Sequence, residues 1–148
     1  MPDSATPARW PPSARVPPFL PVPLRARRDG WSEARQGRFI GLLAETGCVA
    51  EAARRVGMSR MAAWRLRRRP GAEGLAYAWD TVIAVRAGAA KLPRRKVTHG
   101  ELREYATEGP IRVRMRRGKF LRARREPSDS ALMRLLARAG RPQARGGR

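Results

Sequence analysis

The stretch VAEAARRVGMSRMAAWRLRRR, Val49 to Arg69, holds two short runs of helical periodicity separated by Gly57-Met58-Ser59. In the first run Ala52, Ala53 and Val56 recur at helical spacing, and Ala53 is small where a second helix would cross closely. Gly57 stands at the turn position that needs a positive φ, which glycine adopts without cost. Met58 is the apolar turn residue expected to plug back into the core. Ser59 is a good N-cap for a second run through Arg68, and Pro70-Gly71 stops it. This layout predicts a helix-turn-helix, whose second helix enters the major groove of DNA.

The phase of that second helix can be read at 100° per residue. Ala62, Ala63 and Leu66 fall within an arc of roughly 100° that can face a core. Arg60, Met61, Trp64, Arg65 and Arg68 occupy the other side. Trp64 lies between Arg60 and Arg68, where its indole would run along a sugar-phosphate backbone. Packing on a neighbouring helix or at a dimer seam is the alternative for that tryptophan. Arg60 and Arg65, in the N-terminal half, suit bidentate contacts to guanine, and Arg67, Arg68 and Arg69 suit phosphates.

Upstream, Ser32 is placed to cap a helix carrying Phe39, Ile40, Leu42 and Leu43, closed by Thr46-Gly47. Residues 1–28 contain eight of the 13 prolines (Pro2, Pro7, Pro11, Pro12, Pro17, Pro18, Pro21, Pro23) and end in Arg25, Arg27 and Arg28. Proline disfavours helix and removes a backbone donor, so this segment is expected to be an extended or disordered Pro/Arg-rich arm. It would be either a solvated tail or a source of phosphate contacts.

Downstream, Leu75, Ala78, Trp79 and Val82 predict a fourth helix over 72–87. A basic loop (91–96) and a short helix (99–106) follow. Beyond Glu108-Gly109-Pro110 the period becomes two: Ile111, Val113 and Met115 alternate with Arg112, Arg114 and Arg116. Phe120, Leu121 and Ala123 then interleave with Arg122 and Arg124, which reads as a β-hairpin turning at Arg116-Arg117-Gly118. A three-residue loop would put Leu121 and Ala123 on the Val113 face, and a two-residue loop would put Arg122 and Arg124 there; the longer loop is preferred. The face holding Arg112, Arg114 and Arg116 is not core. It is either a solvated sheet face or a wing touching DNA beside the major groove. Leu132, Leu135, Leu136 and Ala139 predict a last helix capped by Ser128 or Ser130 and ended by Gly140, before a basic tail (141–148). The expected organisation is therefore an arm (1–28), a helix-turn-helix domain (29–70), a helical extension (71–106), a hairpin plus helix (107–140) and the tail. Phe39, Ile40, Leu43, Val56, Leu66, Leu75, Trp79 and Val82 are the expected core, small enough that dimerisation would help stability.

Composition agrees with a polyanionic partner: 33 Lys+Arg against 12 Asp+Glu over 148 residues give a net charge of +21. Arginine outnumbers lysine by 30 to 3. GC-rich coding could inflate arginine everywhere, so position has to decide. One Cys and one His exclude a disulfide framework and the usual four-ligand zinc site. Cys48 reads as a semi-buried small apolar residue and His99 as a loop or helix-cap residue. Asp80, Glu101, Glu104 and Glu108 read as helix-surface charges. No phosphate-binding glycine loop and no catalytic constellation is present, so neither an enzyme nor a cofactor is expected. The chain has no apolar run of membrane-spanning length and no secretory h-region, so the expectation is a cytoplasmic protein.

Trp31-Ser32, Arg35-Gln36, Arg38-Phe39-Ile40, Leu43 to Gly47, Ala52-Ala53-Arg54 and Val56 to Ser59, with Trp64 to Pro70, resemble a group of small alphaproteobacterial helix-turn-helix proteins. The N-terminal unit of that group is similar to homeodomain-like regulators and to phage terminase small subunits. The resemblance covers roughly residues 29–140, and residues 31–70 are its specific part. It implies a mostly α fold: a homeodomain-like core, a long fourth helix, a small hairpin and a C-terminal helix. It also implies double-stranded DNA binding by Ser59, Arg60, Trp64 and Arg65, in transcriptional regulation. A ring-forming DNA-packaging subunit and a non-specific nucleic-acid-binding protein are the alternatives, and homo-oligomerisation is possible in either role. Cys48 departs from the Ser or Thr cap of many relatives, which weakens the start of the second helix.

Overall fold

Ser32 and Gly47 bracket the first helix, α1 (Glu33–Thr46), in the computed structural model, which describes residues 9–25 and 28–141. Ser32 Oγ accepts from the Arg35 N–H at 3.1 Å, and left-handed Gly47 (φ 69°) donates its N–H to Leu43 at 2.7 Å. The second helix, α2 (Val49–Arg55), starts at Cys48 with no side-chain cap. Gly57 turns the chain at φ 79°, and Ser59 Oγ caps α3 (Arg60–Arg67) through the Ala62 N–H. The long α4 (Glu73–Arg86) follows. Thr98 and Glu101 form a reciprocal capping box that opens α5 (His99–Thr107), a signal the sequence reading passed over. β1 (Ile111–Arg116) and β2 (Lys119–Arg125) form the antiparallel hairpin, and Ser128 caps α6 (Asp129–Ala139). The described residues are thus mostly helical, with one small two-stranded sheet.

α1 is packed on two sides. Gly37 and Gly41 meet the inner face of the hairpin: a Cβ at Gly37 would fall 2.7 Å from that of Ala123, and Gly41 lies directly under the Phe120 ring. Phe39 and Leu43, about 160° round the helix, are fully buried on the other side, and the Phe39 ring lies 5.1 Å from that of Trp79 in α4. All eight residues expected in the core are buried.

The core is larger than that set, because the Pro-rich arm is part of it. Trp10, Val16, Phe19 and Val22 are buried, so the expectation of a disordered arm is corrected for residues 9–25. The Phe19 N–H donates to the Ile111 carbonyl and the Ile111 N–H to that of Phe19, at 3.2 and 2.8 Å. Val22 is held by Gln36, whose side-chain oxygen accepts the Val22 N–H (2.7 Å) and whose amide donates to the Val22 carbonyl (3.1 Å). The missed signal is a period of three: the buried Val16, Phe19 and Val22 recur at every third position, the repeat of one face of an extended polyproline-type chain. Residues 1–8, Arg27 and the tail from 142 onward, also assigned from sequence, lie outside the described residues.

The hairpin register is reached differently from expectation. The turn has two residues, Arg117 (φ 52°) and Gly118 (φ 79°), the pattern of a type I′ turn. A bulge then restores the phase, since Met115 faces Phe120 but Arg114 faces Arg122. Ala123 lies opposite Val113 as expected, whereas Leu121 is spent in the bulge and is 54% exposed. Arginine has no preference for the left-handed region, where asparagine is tolerated. Arg117→Asn should therefore raise unfolding stability by about 1 kcal/mol, read from the urea midpoint at an unchanged m-value. The last helix is only partly covered: Ala131 is buried against α5, but Leu132 and Leu136, expected to face inward, are exposed.

Candidate nucleic-acid interface

Leu66 and Ala63 anchor α3 by turning fully into the core, with Ala62 half-buried beside them. Arg60, Met61, Arg65 and Arg68 stand on the opposite side and, with an edge of Trp64, line an open depression. Met61 is 61% exposed, so nothing among the described residues covers it. Ser59 is exposed at its N-terminal end as the helix cap, and Arg69 is exposed beyond the other end, beside Arg25 and Trp31.

Two of the assigned residues are placed otherwise. Trp64 is half-buried, its ring 4.8 Å from that of Trp79, so it is chiefly the edge of the core. A helical wheel shows which side Trp64 is on but not that α4 reaches round to meet it. Arg67 is drawn the same way: it pairs with Asp80 at 2.8 Å, donates to the Ala76 carbonyl at 3.3 Å and lies over the Trp79 ring at 5.2 Å. Arg67 is thus a clamp between α3 and α4 rather than a free cation, and Asp80 is its counter-ion rather than an idle surface charge. Cys48, expected to be semi-buried, is exposed. His99 is the exposed first residue of α5.

Charge pairing separates α3 from its neighbour. On α2, Glu51 takes both Arg54 (2.6 Å) and Arg55 (3.0 Å), and Arg55 also reaches Glu45 (2.7 Å). Side-chain hydrogen bonds from Arg54 and then Arg55 hold the Glu51 carboxyl down at about 2. Arg60, Arg65 and Arg68 have no ion-pair partner among the described residues. Compositional drift would add arginines to both helices alike. It would not by itself leave Arg60, Arg65 and Arg68 together on one face of α3 without a partner among the described residues, while Arg54, Arg55 and Arg67 are paired.

The hairpin arginines Arg112, Arg114 and Arg116 face away from α1, and Glu126 lies 3.8 and 3.9 Å from the first two. The hairpin is seated on α1, whereas α3 packs on α2 and α4 rather than against the hairpin. Among the described residues, no group of three or more His, Cys, Asp and Glu side chains is placed to hold a metal ion, and no helix is long and apolar enough to cross a membrane. Comparison with protein-family models, curated proteins and solved structures finds no match to this chain.

Proposed function

We propose that this chain binds double-stranded DNA through a homeodomain-like helix-turn-helix and acts in transcriptional regulation. The observation that carries the reading is the division of α3: Ala63 and Leu66 sealed in the core, and Arg60, Met61, Arg65 and Arg68 exposed together without acidic partners among the described residues. A capped, short, amphipathic helix with such a face is the form that inserts into a major groove. Arg60 and Arg65 would reach base edges, and Arg68 and Arg69 would neutralise phosphates. Met61 adds an apolar group on the groove side. Trp64 and Arg67 keep a supporting role, fixing α3 on α4 through Trp79 and Asp80.

The test is selection from random duplexes at physiological salt, with Arg65→Ala and Arg68→Ala compared to the parent. Arg65→Ala should flatten the preference at one base pair, a loss of about 1–3 kcal/mol of discrimination. Arg68→Ala should weaken all duplexes alike and leave the selected motif unchanged. If both variants act uniformly across sequences, the base-reading role of Arg65 is wrong.

A further inference from the structure

The outward face of the hairpin carries more charge than a solvated sheet face requires. Its register sets Arg112 opposite Arg124, Arg114 opposite Arg122 and Arg116 opposite Lys119, three directly opposed pairs of like charge. Such pairs work against strand association. The carboxylates that could relieve them are engaged elsewhere. Glu33, Glu104 and Glu108 all gather at 3.0–3.2 Å on Arg125, which the register sets opposite Ile111 on the inner side of the hairpin. Among the described residues, Glu126 lies near the face at 3.8 Å or more, and Glu45 borders its Arg116–Lys119 end but pairs with Arg55. Cations recur about every 6.8 Å along each strand, two residues of rise, which fits an extended polyanion better than a single small one.

This face points away from α1, and α3 packs on α2 and α4 rather than on the hairpin. Phe120 and Ala123 press the inner side of the hairpin onto Gly41 and Gly37, while Phe39, on the far side of α1, leads through Trp79 to Trp64. One sheet–helix layer and at least one helix–helix layer intervene, roughly 20 Å in all. A duplex seated on α3 would leave the hairpin face open.

We propose that the outer face of the hairpin is a second duplex-binding surface, so that one copy of the chain bridges two DNA segments. The surface stands on its own charges; the bridging rests on the α3 reading above. Duplex DNA is the occupant because its major groove admits a two-stranded β-ribbon, whereas the major groove of an A-form RNA helix is too deep and narrow to be entered.

The experiment is co-capture of a fluorescent 30-base-pair duplex by the full chain on beads bearing a second, unlabelled duplex. The parent, Arg122→Glu and Arg60→Ala/Arg65→Ala/Arg68→Ala are compared, with sedimentation at the same concentration. Arg122→Glu turns the Arg114 pair into one of opposite charge. It should keep or raise the melting temperature, keep binding of one duplex within a few-fold, and lower co-capture at least tenfold. The α3 variant should lower co-capture as much while retaining salt-sensitive binding through the hairpin. Co-capture by Arg122→Glu equal to that of the parent overturns the proposal. So does a loss accompanied by a fall in sedimenting mass, which would place bridging in a dimer, or efficient displacement of the captured duplex by an RNA helix of the same length. If instead the α3 variant co-captures normally and Arg122→Glu loses all binding, both bridging and the α3 reading fail together, which distinguishes that failure from the first.

Discussion

Phe19→Ala should lower the unfolding free energy by about 3–5 kcal/mol, the usual range for removing a fully buried phenyl group. Phe19 is completely buried and sits where three parts of the chain meet. Its backbone exchanges two hydrogen bonds with Ile111 at the edge of the hairpin, and Gly74 of α4 lies against its Cβ and the backbone of Leu20. The cavity could not close easily, because Gln36 fixes the chain three residues on by both polar groups of Val22. Total stabilities of domains this size are about 5–15 kcal/mol, so the loss is a large share. Urea unfolding of the parent and the variant gives the measurement. A change under about 1 kcal/mol would be the signature of a solvated arm, and residues 9–25 would then have no part in holding the core together.

That segment shows where sequence reasoning stops. Caps and periodicity are local, so Ser32, Gly47 and Ser59, the eight core residues and the alternation from Ile111 were all legible. The arm has neither a period of 3.6 nor one of two. Its prolines argue against regular structure, yet they also stiffen an extended chain and lower the cost of ordering it. Trp10, Val16, Phe19 and Val22 then find partners contributed by α1, α4 and β1, which no local rule foresees. The bulge at Leu121 is similar. A two-residue turn and a bulge together leave Ala123 on the same face as the single longer loop would, so the alternation beyond the bulge cannot tell them apart. Within the site, the wheel sorted Ala63 and Leu66 from Arg60, Met61, Arg65 and Arg68 correctly. It misjudged Trp64 and Arg67, because their surroundings belong to α4: Trp79 and Asp80 lie 15 and 13 residues further along the chain (79 − 64, 80 − 67).

Arg60→Ala/Arg65→Ala/Arg68→Ala should weaken duplex binding by roughly 10²–10³-fold, if each arginine is a phosphate or base contact worth about 1 kcal/mol or more. The same variant should melt within a few degrees of the parent. All three side chains are exposed and have no ion-pair partner among the described residues, so their truncation removes no contact of consequence seen there. Salt dependence separates the explanations of a loss. Three phosphate contacts contribute about 2.7 to the slope of log K against log salt, at about 0.9 each. A fall in slope near that value means direct backbone contacts. A smaller fall with a large loss of affinity means that Arg60 and Arg65 act on bases, which carry sequence preference but release fewer counterions. If affinity drops less than about threefold while the salt slope keeps its parent value, long-range charge alone drives binding. The exposed face of α3 would then be no more than one part of a uniformly basic surface. Arg67→Ala is the informative partner variant. Losing the Asp80 pair and the stacking on Trp79 should lower the melting temperature first, and reduce DNA affinity only as far as α3 loses its seat on α4.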